Sequence, residues 1–187
     1  MMKRFIDLCL ATFACAFLLI PIFIIALAVR LTSEGPVLYW SDRVGLNNQI
    51  FKMPKFRTMR TNTPEVASHL LQEPNTWLTP IGNFLRKSSL DELPQIWSVL
   101  KKEMSFVGPR PALYNQTDLI DLRKETGIDK LLPGITGWAQ INGRDKLNIK
   151  EKVVLDKEYL IQKSIFFDFK IILLTIIYLF KSDVIKH

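Results

Sequence analysis

Two adjacent carboxylates, Asp91 and Glu92, are the residues of this chain best suited to chemistry. They lie in Arg86-Lys87-Ser88-Ser89-Leu90-Asp91-Glu92-Leu93-Pro94-Gln95, where a basic pair precedes the acidic pair within one short run. A carboxylate can serve as a nucleophile in phosphoryl-type transfer, forming an acyl phosphate. It is ionised at neutral pH from an ordinary aspartate pKa of about 3.9, so it needs no separate base. What it needs is cover for its repulsion from a phosphorylated substrate. Arginines, a helix N-terminus and Mg²⁺ can each supply that cover. Arg86, Lys87, Arg110 and Arg144 stand near the informative segments. Arginine suits the role best, because its fork presents two parallel donors to phosphate.

Rival designs are missing from the sequence. There is no Gly-x-x-x-x-Gly-Lys-Ser/Thr loop and no Gly-x-Ser-x-Gly elbow. No Asp-x-Asp occurs, which weakens an ordinary metal-dependent nucleotide-sugar glycosyltransferase. The two cysteines, Cys9 and Cys15, both fall in the apolar N-terminal run, so neither a disulfide framework nor a catalytic thiol is expected. Neither His69 nor His187 has a partner at ligand spacing, so no zinc site is expected.

The elements around the acidic pair follow from spacing. Leu93, Ile96, Trp97 and Leu100 recur at i, i+3, i+4, i+7 and make one apolar helical face. Pro94 fits the first position of that helix, where its missing N–H costs nothing. The expected helix is Pro94–Glu103, with Asp91 and Glu92 just before it, near the positive end of its dipole. Ser89-Leu90-Asp91-Glu92 also matches a capping box. Pro94 counts against that reading, since with Ser89 as cap it would fall at the fifth helical position and break a bond of the ladder.

Elsewhere, Val37–Trp40 and Gln49–Met53 read as short strands with a turn at Gly45-Leu46-Asn47-Asn48, hence a β-hairpin. Pro54 limits the second strand to an edge or ends it. Thr61–Thr79 reads as a polar surface excursion with a short helix. Pro109-Arg110-Pro111 is a rigid loop, because each proline fixes its φ. A helix is expected over Asp118–Glu125, a loop at Pro133-Gly134 and Gly137, and a helix over Ile149–Gln162. The fold class is α+β, mostly helical, with one small β element and one functional domain. No internal repeat is present.

The formal charge of +7 and pI near 9.5 point to an anionic partner. No basic run interleaved with aromatics is present, so nucleic acid is not expected. From Leu8 to Val29 the chain carries no charge, which favours membrane and phosphate. Three readings of this run compete. A secretory signal peptide is supported by Lys3, Arg4 and Ala26-Leu27-Ala28, and opposed by the length of the run and its internal proline. A spanning helix is opposed by basic residues at both ends, with Lys3 and Arg4 on one side and Arg30, Arg43, Lys52, Lys55 and Arg57 on the other. A helix-break-helix at Ile20-Pro21, entering and leaving by one face, satisfies both ends. The expected division is a re-entrant membrane helix over 1–31 with Pro21 as the break, and a cytosolic catalytic domain over 32–187. A second apolar run, Ile171–Phe180, is too short to span and reads as a helix at the membrane interface or packed under the domain.

Four segments occur in a recognisable order: Lys55-Phe56-Arg57-Thr58-Met59, the Asp-Glu run, Phe106-Val107-Gly108-Pro109-Arg110-Pro111, and Pro133-Gly134-Ile135-Thr136-Gly137-Trp138-Ala139-Gln140-Ile141-Asn142-Gly143-Arg144. Together they resemble the small monotopic phosphoglycosyl transferases of bacteria, from about Lys3 to Asp168. Such enzymes begin capsule, O-antigen, exopolysaccharide and glycoprotein-glycan assembly on a polyprenyl (undecaprenyl) phosphate carrier. The resemblance implies transfer of a phosphosugar from a UDP-sugar, with UMP leaving and a covalent phosphosugar on the aspartate as intermediate. Carried over, Asp91 is the nucleophile and Glu92 helps hold Mg²⁺. Arg86 and Arg110 bind phosphate, and Lys55, Arg57, Gln140 and Arg144 join the substrate site. Asp156 and Asp168 match acidic positions after the last motif, with helix surface charge or capping as the alternative. The resemblance also implies the cytoplasmic face of the bacterial inner membrane. Here Ile20-Pro21 stands where relatives carry Ser-Pro, and Met53-Pro54 where they carry an aromatic residue.

Two other function classes fit parts of the sequence. A non-catalytic protein could dock its basic face on anionic lipid, and would release no UMP. A membrane-bound phosphohydrolase could use the same acid pair with water as acceptor. A homo-oligomer is compatible with the sequence, and the sugar is not specified by it.

Overall fold

The computed structural model describes residues 2–63, 74–143 and 146–180. Arg144, one of the expected substrate-site residues, lies outside them, as does most of the 61–79 excursion.

The chain opens with one long helix, α1 (Met2–Thr32). Its helical assignment runs through Pro21 without interruption, where the sequence predicts a break. Proline removes a single ladder bond, and packing on either side holds the turns that remain. One face of α1 lies against the rest of the protein along its whole length. Asp7, Ala11, Ile25 and Val29 are buried. Ala14, Cys15 and Leu18 pack on a cluster of Phe51, Met53, Ile96, Val99 and Met104. Ile22 and Ala26 pack on Phe56 and Leu85. These positions recur every three to four residues, the spacing of one helical stripe. The opposite face, with Phe5, Phe13, Phe17, Ile20, Phe23, Ile24, Leu27 and Leu31, is exposed and apolar.

Strands β1 (Leu38–Val44) and β2 (Ile50–Phe56) form the expected antiparallel hairpin. The turn between them puts Asn47 and Asn48 at φ of 52° and 59°, left-handed values that asparagine tolerates. Pro54 does not end β2; it pairs with Trp40 within the sheet. A two-stranded sheet has only edge strands, so the missing N–H need not interrupt the ladder.

The segment carrying the acidic pair differs from expectation. After the short helix α2 (Gly82–Lys87), a 3-10 turn covers Leu90–Gln95 and only then does α3 (Ile96–Leu100) begin. Asp91, Glu92 and Pro94 are therefore inside the 3-10 turn, not ahead of a helix. Ser89 is left-handed at φ 56° and its side chain caps nothing, so the capping box is not formed. The short α3 has too few aligned peptides for a strong dipole, and the helix-terminus argument for phosphate loses its basis. Trp97, expected on the buried face with Ile96, is 55% exposed.

Two three-residue strands, β3 (Ser105–Val107) and β4 (Gly134–Thr136), pair in parallel; the sequence predicts a loop at Pro133-Gly134 and no element over Ser105–Val107. Their approach depends on glycine. A Cβ on Gly134 would lie 2.1 Å from the Gly108 nitrogen, and one on Gly137 2.1 Å from the Gly108 carbonyl oxygen. Between them come α4 (Thr117–Glu125), and after β4 follow α5 (Trp138–Ile141), α6 (Ile149–Gln162) and α7 (Ile165–Phe180). Asn148 and Glu151 close a capping box on α6. One side of α7 buries Ile171 against Val107, Ile141 and Tyr159. The other side exposes Phe166, Phe169, Leu173, Ile176 and Ile177.

Polar contacts pin both ends of α1. The Lys3 ammonium pairs with Asp168 and donates to the Val107 carbonyl at 3.1 Å and the Tyr159 hydroxyl at 3.2 Å. Asp7 accepts from the Ser105 hydroxyl at 2.8 Å and the Phe106 N–H at 3.3 Å. At the other end, Arg57 donates to the Ser33 hydroxyl at 2.9 Å and the Ser33 carbonyl at 3.0 Å.

Candidate active site

Asp91 is 8% exposed, and Glu92 keeps 11% of its side chain in contact with solvent. Glu92 anchors the site. Its Oε1 accepts from Lys55 Nζ at 2.8 Å and from Arg110 Nη2 at 3.0 Å. Lys55 comes from β2 and Arg110 from the loop after β3, so one carboxylate oxygen ties the hairpin to that loop. Arg86, on α2, donates from Nε to the Thr58 hydroxyl at 3.0 Å and interacts electrostatically with Asp91.

Burial dominates the electrostatics. Desolvation pushes the Asp91 carboxyl above the ordinary aspartate value, and the neighbouring Glu92 adds to the push; Lys55, Arg86 and Arg110 pull it back. Desolvation lowers Lys55, with Glu92 opposing. The sequence assigned Asp91 an unperturbed carboxyl, and the structure corrects this.

A fourth cation was not foreseen as part of the site. Arg43 of β1 donates from Nε to the Ser41 hydroxyl at 3.0 Å and from Nη1 to the Pro111 carbonyl at 3.2 Å. Burial, with Arg110 nearby, brings its pKa down to about 10, and Glu92 opposes that shift. It stays protonated at neutral pH. With both carboxylates ionised, four cations (Arg43, Lys55, Arg86, Arg110) face two anions (Asp91, Glu92), leaving two positive charges in excess. That excess complements a diphosphate. In the sequence Arg43 registers only as one more basic residue after the membrane run, because nothing local ties it to Arg110.

Arg57 is 5% exposed and faces Ser33 at the end of α1, while its Nε and Nη1 have no partner among the described residues. It reads as a clamp on the α1–β1 connection. Gln140 sits on α5 against Gly137, with both amide atoms buried and without a partner among the described residues. Asp168 serves the Lys3 anchor. Asp156 is 1% exposed and pairs with the buried Arg123.

No group of three or more His, Cys, Asp or Glu side chains placed to hold a metal occurs among the described residues. Glu92 Oε1 is already shared by two cations. This donor set fits Mg²⁺ arriving with a diphosphate better than a resident ion, because Mg²⁺ is commonly held by one or two carboxylates plus substrate phosphates.

Comparison with known proteins identifies the family. The sequence profile of the bacterial sugar transferase family matches residues 1–182. The chain belongs to that family. Among curated family members, an undecaprenyl-phosphate glucose phosphotransferase of Komagataeibacter xylinus is 43% identical over 164 residues, 82% of this chain and 31% of the relative. A UDP-glucose:undecaprenyl-phosphate glucose-1-phosphate transferase of Escherichia coli K12 is 41% identical over 185 residues, 94% of this chain and 39% of the relative. A sugar transferase of Bacillus subtilis named EpsL, itself uncharacterized, is 42% identical over 176 residues, covering 94% of this chain and 85% of that protein. The chain thus spans between 31% and 39% of the first two bacterial sugar transferases and most of the third.

Proposed function

We propose that this chain transfers a phosphosugar from a UDP-sugar to polyprenyl phosphate through a covalent intermediate on Asp91. The carrying observation is a buried carboxylate pair ringed by Arg43, Lys55, Arg86 and Arg110, in a chain of the bacterial sugar transferase family. The names of the first two relatives supply the reaction class.

In the first step an Asp91 oxygen attacks the β-phosphorus of the UDP-sugar. The bond from that phosphorus to the bridging oxygen breaks, and UMP leaves with the electron pair. In the second step an oxygen of the lipid phosphate attacks the same phosphorus, and the Asp91 carboxylate departs. Arg110 and Lys55 already converge on Glu92, so both stand where diphosphate oxygens would be held. Arg86 faces Asp91 and offsets the charge of the pentavalent phosphorus. Burial around Asp91 excludes water that would otherwise hydrolyse the aspartyl phosphosugar. Glu92, with Asp91 beside it, would hold Mg²⁺ delivered with the donor, and the ion would neutralise charge on the departing phosphate.

The packing of α1 against its own domain from Lys3 to Ser33 supports attachment to one face of a membrane; the cytoplasmic face of the inner membrane is the side on which the nucleotide-sugar donor of this proposal would be met. The outer faces of α1 and α7 present the apolar surface a membrane would cover. Labelling with membrane-impermeant reagents in sealed inverted vesicles should reach the N-terminus and Lys52 from the same face; opposite faces would overturn one-sided attachment.

The reaction is tested by screening UDP-sugars for UMP release with undecaprenyl phosphate as acceptor. Ping-pong kinetics and radiolabel retained on the protein without lipid are expected. Sequential kinetics, together with turnover by Asp91→Asn, would indicate direct attack by the lipid phosphate. Free sugar phosphate without lipid product would indicate a hydrolase, and no UMP release from any donor would leave a lipid-binding protein.

A further inference from the structure

The loop that carries Arg110 is held at four successive carbonyls, each by a different partner. The Pro109 carbonyl accepts from the Gly134 N–H at 2.9 Å. The Arg110 carbonyl accepts from Arg123 Nη1 at 2.8 Å. The Pro111 carbonyl accepts from Arg43 Nη1 at 3.2 Å. The Ala112 carbonyl accepts from the Val44 N–H at 2.9 Å. Two of the four donors are backbone groups of β4 and β1. The other two are side chains, and both are arginines.

Arg123 is itself aimed. It is 9% exposed on α4, and its Nε and Nη2 both donate to Asp156 Oδ2, at 3.0 and 2.6 Å. A guanidinium is planar and rigid. Two of its nitrogens locked on one carboxylate therefore fix the direction of the third, which reaches the Arg110 carbonyl. Asp156 on α6 thus acts through Arg123 on the backbone of a residue 46 positions earlier in the chain. Arg43 does the same for Pro111 from the other side, steadied by Ser41. Prolines at 109 and 111 fix φ on either side of Arg110, but they do not set where the loop sits relative to Glu92.

We infer that Arg43 and the Asp156–Arg123 pair are positioning residues that clamp the backbone at Pro111 and Arg110, and thereby set the Arg110 guanidinium for the diphosphate of the donor. This rests on the reading of Arg110 as a phosphate ligand. It gives Asp156 a task distinct from touching substrate. It also explains why a buried arginine is kept on α4, where an apolar side chain would fill the face beside Leu119.

The test is a double-mutant cycle on binding of UDP, which carries the uridine and diphosphate without a sugar, to the full chain in lipid nanodiscs. Arg110→Ala and Arg123→Gln are measured alone and together, with a thermal melt of each. Each single change should weaken UDP about tenfold, the scale of one charged hydrogen bond. The double variant should bind like Arg110→Ala alone, because a clamp has nothing left to position. If Arg123→Gln weakens binding as much in the Arg110→Ala protein as in the wild type, the clamp is refuted while the phosphate reading of Arg110 stands. If Arg110→Ala, or the wild type itself, shows no specific UDP interaction to lose, both are refuted. Should Arg123→Gln fail to fold, Arg123→Lys, which keeps the charge opposite Asp156 but loses the planar fork that aims a donor at the Arg110 carbonyl, carries the same comparison.

Discussion

Asp91 and Glu92 are neighbours in sequence, yet neutralising them should move stability in opposite directions. Glu92 Oε1 lies 2.8 Å from Lys55 and 3.0 Å from Arg110. At an effective dielectric near 20 each contact is worth roughly 5–6 kcal/mol before desolvation. Desolvation of three charged groups offsets much of that. Arg110 also keeps 33% of its side chain exposed, so its share is further reduced by screening. Glu92→Gln retains one acceptor but removes the carboxylate paired with Lys55 and Arg110 and leaves Asp91 alone to offset them, at a cost of about 2–4 kcal/mol. For a chain of this size that lowers the melting temperature by roughly 5–15 °C. Asp91 behaves otherwise. Burial favours its neutral form, so the folded protein holds the Asp91 proton more tightly than the unfolded chain does. Its ionised state at neutral pH therefore costs stability, and that cost fades as pH falls through the raised folded value towards the ordinary 3.8. Asp91→Asn should melt at or above the wild-type temperature while losing UMP release by about 10⁴-fold or more, as expected for a missing nucleophile. Thermal melts in nanodiscs alongside UMP release settle the matter. An Asp91→Asn protein that melts below Glu92→Gln would show that the anchoring carboxylate has been misassigned.

UMP release should fall as pH drops through an acidic limb lying above the ordinary aspartate value, and Glu92→Gln should move that limb to lower pH by removing the like charge; a limb that does not respond to Glu92 would refute the coupling. Gly134→Ala forces a Cβ to within 2.1 Å of the Gly108 nitrogen and should cost about 3 kcal/mol, seen as a lowered melt with loss of UDP binding. Asp168→Asn weakens the hold on Lys3, whose 41% exposure limits the loss to about 1 kcal/mol. Amide exchange should then rise over Phe5–Leu10 and stay unchanged in β2.

Features that depend on a few consecutive residues were legible in the sequence. The hairpin follows from two short apolar runs and an Asn-rich turn, and α4 and α6 follow from helical spacing and length. The apolar character of α1 needs only the absence of charge from Leu8 to Val29. The acidic pair is singled out by its place beside Arg86-Lys87 and by the order of the four motifs; the helix start expected after it is not formed, because both carboxylates lie inside a 3-10 turn. Three-residue strands were not legible, since β3 and β4 are too short to display alternation and exist because Gly108, Gly134 and Gly137 let two backbones meet. The 3-10 turn at Leu90–Gln95 is equally hidden, because Pro94 fits a helix start as well as it fits that turn. The continuity of α1 through Pro21 is a tertiary outcome, decided by a domain that packs against the turns on both sides. The division of labour between the two carboxylates is tertiary as well. Lys55 is 37 residues from Glu92, and Arg43 is 68 residues from Pro111. Local sequence says that a carboxylate pair and several cations exist; only the folded chain decides which cation meets which oxygen, because ion pairs and desolvation depend on distance in space.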